Sequence, residues 1–108
     1  LIIRTLPNKS DKLIRNYDLN PAAFFSNDAI KYILNLGVKH LLVDLPSIDR
    51  GNDHGLLGNH HLFFEEGKTI SELLFIPNKI EDGVGFLQIQ IPNWSLDAAP
   101  SRPIFCPV

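Results

Sequence analysis

Residues 26–43 read SNDAIKYILNLGVKHLLV, and this stretch decides the fold class. Ser26 is a favourable N-cap, and Asp28 falls in the first turn, where the helix dipole favours negative charge. Apolar residues then recur at helical spacing up to Gly37, a residue typical of the position just past a helix. The following VKHLLV has no polar alternation, which is typical of a strand covered on both faces. We therefore predict a helix followed directly by a buried strand.

Further elements are predicted on both sides of this stretch. Strands are expected at residues 1–5, 69–76, 86–91 and 104–108, and a second short helix at 56–66, ended by Gly67. The order strand, helix, strand predicts a right-handed crossover and a parallel pair, and ligands tend to bind at the carboxyl ends of such strands. We predict an α/β fold with a mixed sheet and two helices.

Composition limits the classes of function. The 108 residues suit one domain, and 44% hydrophobic residues are enough for a core. The net charge of −2 and the scattered ten Lys and Arg argue against a nucleic-acid partner. No apolar run approaches the roughly 20 residues that span a membrane, so we expect no membrane partner. The single cysteine, Cys106, excludes an intrachain disulfide and suits a reducing compartment, so a cytoplasmic location is expected.

The chain begins with LIIRT, a strand without a polar lead-in. Termini are usually loose and polar, so we expect that these residues belong to a longer protein, of which they form a partial domain. Such a piece exposes surface that the remainder would cover. We therefore expect a homo-oligomer, formed through open strand edges.

His60 and Glu72 are the first candidates for chemistry. Imidazole and carboxylate are good ligands for zinc, manganese or iron, and a short helix followed by a strand can direct both side chains at one point. Two ligands do not complete a catalytic metal site, and spacing alone also fits a surface histidine and a solvated glutamate. His61 is an alternative ligand, because only one of two neighbouring helical residues can point inward.

Asp44, Ser47 and Asp49 form a D-x-x-S-x-D run at the end of the buried strand. Such a run can bind a metal or phosphate, although Asp and Ser more often bond their own turn. Ser47 lacks the glycine context of a nucleophile elbow. Cys106 lies in an apolar terminal strand, where we expect it to be buried and inert. No catalytic nucleophile is predicted, and the two remaining histidines, His40 and His54, have no evident partners.

Four segments together resemble a known family. They are VKHLLVDLPSIDR at 38–50, D-H-G-x-L-x-x-H-H-x-F-F at 53–64, T-I-S-E-L at 69–73 and D-A-A-P-S-R-P at 97–103. In this order they resemble the cyclase family that includes bacterial kynurenine formamidases (arylformamidases) and isatin hydrolases. The resemblance covers nearly the whole chain.

The resemblance implies a swivelling β/β/α fold, and a hydrolase that cleaves an amide or cyclic amide with a divalent metal, commonly zinc or manganese. Its small-molecule substrate would be of the N-formylkynurenine type. The family's metal-binding histidine and glutamate fall on His60 and Glu72, while Asp44, Ser47 and Asp49 match the loop that shapes the site.

One departure from the family pattern is large. The signature H-x-G-T-H-x-D-x-P-x-H, which supplies further metal ligands and the acid/base histidine, does not occur here. The resemblance therefore implies that these residues are the carboxyl-terminal portion of a single domain. This portion would contain no catalytic residue and would be inactive by itself. The alternative is a non-catalytic binding domain that keeps the fold without a working site.

Overall fold

The computed structural model describes residues Leu1–Val108, and its first unit, Leu1–Pro77, is built on a parallel sheet. The strands lie in the order β1 (Ile2–Ile3), β2 (His40–Val43), β3 (Thr69–Ser71), with both pairs parallel. Because all three strands run the same way, their carboxyl ends meet at one edge of the sheet. Thr5, Asp44 and Glu72 follow the three strands at that edge.

Two α-helices connect these strands. Helix α1 (Asn27–Asn35) begins as predicted, since the Ser26 hydroxyl accepts a hydrogen bond from the Ala29 N–H at 3.2 Å. Gly37, with φ of +78°, follows its end. Helix α2 (Gly58–Glu65) begins two residues later than predicted, because Leu57 has a left-handed backbone with φ of +45°.

The core lies between the sheet and the helices. It is formed by buried side chains from α1, β2, the loop after β2 and α2, namely Ile30, Ile33, Leu41, Val43, Leu45, Ile48 and Phe63. Leu42 points to the other face of β2 and is also fully buried. The prediction of a strand covered on both faces is confirmed for Leu41–Val43, while the strand begins at His40 and not at Val38, and Lys39 is exposed.

The second unit, Asn78–Val108, is an antiparallel ribbon of β4 (Gly85–Gln90) and β5 (Arg102–Pro107). Most of its apolar side chains are exposed, including Phe86 and Trp94. Cys106 is exposed as well, so the prediction of a buried cysteine is wrong. A two-stranded ribbon covers neither of its faces, which is why residues on both faces remain exposed.

The α/β class is confirmed, with two helices and with both parallel and antiparallel strands. Strand β3 is shorter than the predicted 69–76, because the left-handed backbone of Leu73 (φ +58°) interrupts it. No helix of the chain has the length and apolar character needed to cross a membrane.

Candidate functional site

The His60 ring lies between two carboxylates. Its Nδ1 is 2.6 Å from Oδ2 of Asp49, and its Nε2 is 3.1 Å from Oε1 of Glu72. These three side chains come from the loop after β2, from α2 and from the residue after β3. The structure therefore brings His60 and Glu72 together, as their assignment to one site requires, and adds Asp49 behind the ring.

Asp49 also caps helix α2. Its Oδ1 accepts the backbone N–H of Asn59 at 2.8 Å, and its Oδ2 accepts that of His60 at 3.1 Å. Free N–H groups and the positive end of the dipole at a helix N-terminus both favour a carboxylate there. The same carboxylate thus fixes the helix start and the ring of His60.

Glu72 is attached to the loop that carries Asp49. Its Oε1 accepts the backbone N–H of Ile48 at 2.8 Å, and this is the oxygen that faces His60. Ile48 is fully buried, so its N–H has no access to water and gains a partner through Glu72.

Electrostatics favour a charged network at this point. The hydrogen bond with Glu72 is the largest cause that raises the pKa of His60 to about 9; burial opposes it, and Asp49 adds to it. Burial raises the pKa of Asp49, but hydrogen bonds from the His60 ring and from the Asn59 and His60 N–H groups outweigh it. The pKa of Asp49 therefore lies below its ordinary value.

Asn59, the neighbour of His60, is a residue that the sequence analysis did not single out. It is buried, and its side-chain amide donates to Phe25 O at 2.8 Å and to Ile48 O at 2.9 Å. These bonds hold α2 against the segment before α1 and against the loop after β2. No local pattern distinguishes Asn59 from the other polar residues of α2, so the sequence contains no signal for its role.

The loop residues Asp44 and Ser47 have other partners. The Ser47 hydroxyl accepts the Asp49 N–H at 3.0 Å, the turn-forming arrangement that is common for serine. Asp44 is buried and pairs with Lys12 Nζ at 2.7 Å, and it accepts the Thr5 N–H at 3.0 Å. Of these three loop residues, Asp49 is the one that hydrogen-bonds to His60.

The other histidines are separated from this cluster. The side chain of His61 is exposed, so the structure brings His60 and not His61 to Glu72. His40 has hydrogen-bond partners across the sheet, with Nδ1 on the Thr69 hydroxyl and Nε2 at 2.9 Å from the Ser71 hydroxyl. The expectation that His40 has no partner is wrong, because β3 lies beside β2 and its hydroxyls face the ring.

The donor atoms fit a divalent cation in part. His60 Nε2 and Glu72 Oε1 lie 3.1 Å apart, a hydrogen-bond distance that is slightly shorter than the separation of about 3.3 Å between neighbouring ligand atoms in a tetrahedral zinc site. Asp49, on the opposite ring nitrogen, has the position that the outer carboxylate would take in a carboxylate–histidine–metal arrangement. Asp49 cannot reach a metal ion bound by Nε2 and Oε1, and no three His, Cys, Asp or Glu side chains form a group that could hold a metal ion.

Searches of the chain against protein-family models, curated proteins and solved structures returned no match.

Proposed function

We propose that this chain supplies His60 and Glu72 to the divalent-metal site of a hydrolase that acts on an amide or cyclic amide. The observation that carries the proposal is the pair of donor atoms 3.1 Å apart, with Asp49 on the opposite nitrogen of the histidine. The motifs around these residues resemble those of arylformamidases, which supports an N-formylkynurenine-like substrate. A homo-oligomeric state stays a prediction.

The residues of the chain have distinct tasks in this proposal. Asp49 accepts the Nδ1 proton of His60, which leaves the lone pair of Nε2 for the metal once the second proton is lost. The Ile48 N–H holds one oxygen of Glu72 in place. A bound zinc or manganese ion would supply Lewis acidity and an activated water.

Two ligands from this chain bind a cation weakly, because a catalytic site normally has three protein ligands. We expect the purified chain to bind Zn²⁺ with a Kd of at best about 10–100 μM, on the order of −6 kcal/mol. We also expect it not to hydrolyse N-formylkynurenine above background.

Calorimetric titration of the chain with Zn²⁺ tests the proposal. His60→Ala and Glu72→Ala should each weaken binding at least about tenfold, since each removes one of two ligands. His61→Ala is the matched control, because it removes the exposed neighbour on the same helix and should leave the affinity unchanged. Equal affinities of the His60→Ala, His61→Ala and parent chains would contradict the proposal.

The second candidate is a binding domain without catalysis. The raised pKa of His60 favours it, because a protonated ring satisfies both carboxylates without any metal. Under this candidate, His60→Ala lowers the stability of the chain and no variant changes the heat of zinc addition. The same titration, together with urea unfolding, separates the two candidates.

A further inference from the structure

The pairing of β3 with β2 shifts just after Ser71. In the regular part of the pair Thr69 lies beside His40, and the Thr69 N–H donates to Lys39 O at 3.2 Å. The same register would bring the N–H of Leu73 to Val43 O, but it is the Leu74 N–H that donates to this carbonyl, at 3.1 Å. One extra residue is therefore inserted on the β3 side between these two bonds, an irregularity like a β-bulge at the end of the parallel pair, and we refer to it as the bulge.

Leu73 is the residue at the bulge. Its backbone is left-handed with φ of +58°, a conformation that residues with a Cβ adopt rarely and that usually falls to glycine. Its side chain is 66% exposed, so core packing does not hold it there. What holds it is the backbone, since its N–H donates to Leu45 O at 2.8 Å and the next N–H returns to β2.

The bulge attaches Glu72 and its neighbour to one loop by two bonds. The backbone of Leu73 is bonded to Leu45 at the start of that loop, and the carboxylate of Glu72 accepts the N–H of Ile48 further along it. The carboxylate then lies 3.1 Å from His60. A regular strand would continue along β2 and would not make the bond to Leu45.

We propose that Leu73 is a positioning residue, and that the bulge it forms holds the Glu72 carboxylate against Ile48 and beside His60. Bulges occur next to active sites, where they direct a side chain away from its regular course. The inference deepens the proposed function and rests on it only for the claim that this carboxylate binds a metal; the placement of Glu72 is a property of the chain itself.

Amide hydrogen exchange of the metal-free chain, followed by NMR, tests the placement. The reporter is the Ile48 N–H, because its partner is the Glu72 carboxylate. Glu72→Ala is the reference variant, with which the Leu73 variants are compared. It should speed exchange at Ile48 about tenfold, as expected for loss of a hydrogen bond to a charged acceptor. The N–H of Ile30, bonded to Ser26 O at 3.1 Å in α1, reports on the overall fold and should not change.

Leu73→Pro and Leu73→Gly are the informative pair. Proline has no N–H for Leu45 and cannot adopt φ of +58°, so it should speed exchange at Ile48 about as much as Glu72→Ala, roughly tenfold. Glycine adopts the left-handed backbone without strain and keeps the N–H, so it should leave Ile48 within about twofold of the parent chain. If the leucine side chain held Glu72 in place, the glycine variant would not keep the slow exchange of the parent chain at Ile48.

Deletion of Leu73 gives the same information if the proline variant does not fold. It restores the regular register to the whole pairing and should also speed exchange at Ile48 while Ile30 stays protected. Parent-like exchange at Ile48 in a folded proline or deletion variant would overturn the inference. Loss of protection at Ile30 in both variants would overturn it too, since Leu73 would then be needed for the fold and not for the placement of Glu72.

The proposed function fails separately. If Glu72→Ala binds Zn²⁺ like the parent chain, the metal site is wrong, whatever the exchange at Ile48 shows. If Glu72→Ala loses zinc binding and Leu73→Pro does not affect Ile48, the metal proposal stands and the positioning inference is refuted.

Discussion

One oxygen of Asp49 accepts two hydrogen bonds from His60. Oδ2 lies 3.1 Å from the backbone nitrogen and 2.6 Å from Nδ1 of the ring. The carboxylate therefore fixes both the start of α2 and the orientation of the imidazole. A helix that shifted relative to this loop would carry the ring away from Glu72, so the fold and the candidate site depend on the same contact.

Replacing Asp49 by asparagine should destabilise the chain by about 2 kcal/mol, because a buried, charged acceptor of several hydrogen bonds is lost. Urea unfolding monitored by circular dichroism measures the change. Asp28→Asn is the matched control, since Asp28 is exposed in the first turn of α1 and should cost at most about 0.5 kcal/mol. Equal losses in both variants would refute the role given to Asp49.

The stability of the metal-free chain should fall at alkaline pH. The pKa of His60 is raised to about 9 in the folded state, from about 6.5 in an unfolded chain, so the folded state binds this proton more tightly. This stabilisation is fully present below about pH 6.5 and is lost as the pH rises through about 9, an effect on the order of 1–3 kcal/mol.

Urea midpoints between about pH 6 and pH 10, with a chelator present, measure this dependence. His60→Gln removes the titrating ring and should flatten the curve over that range. A parent curve as flat as that of His60→Gln would show that the two carboxylates do not hold a proton on the ring.

Lys12→Met should destabilise the first unit by about 3–5 kcal/mol, the usual cost of leaving a buried charge without its partner. Lys12 Nζ is 2.7 Å from Asp44 Oδ2, and both side chains are nearly inaccessible to water. Lys9→Met, at an exposed position three residues before Lys12, is the matched control and should be nearly neutral. Thermal unfolding of the parent chain and of the two variants measures the difference in stability. An unchanged Tm for Lys12→Met would contradict the prediction.

Gly85→Ala should disrupt the pairing of β4 with β5. A Cβ at this position would lie 2.5 Å from Cys106 O and 2.6 Å from the Phe105 ring, closer than real Cβ contacts allow. Gly83→Ala is the control, because nothing lies within 4 Å of a Cβ there. Cross-strand NOEs between Leu87 and Phe105 report the pairing, and their survival in Gly85→Ala would refute the prediction.

The local elements could be predicted from the sequence. Helix α1 with its Ser26 cap and the covered strand at β2 depend on capping chemistry and apolar periodicity, which act over a few residues. The candidate ligands His60 and Glu72 were also found from the sequence, through the motifs around them. The structure shows that these two side chains lie close together, while their binding of a metal stays a prediction.

Long-range contacts were decided by the tertiary structure alone. The two carboxylates that flank His60 come from separate segments, one before α2 and one after β3. Lys12, which precedes α1 in the chain, pairs with Asp44, which follows β2. The bulge at Leu73 depends on which carbonyls of β2 and its loop lie within reach. Periodicity determines which residues form a helix or a strand, but hydrogen bonds between distant segments depend on packing, which no local pattern specifies.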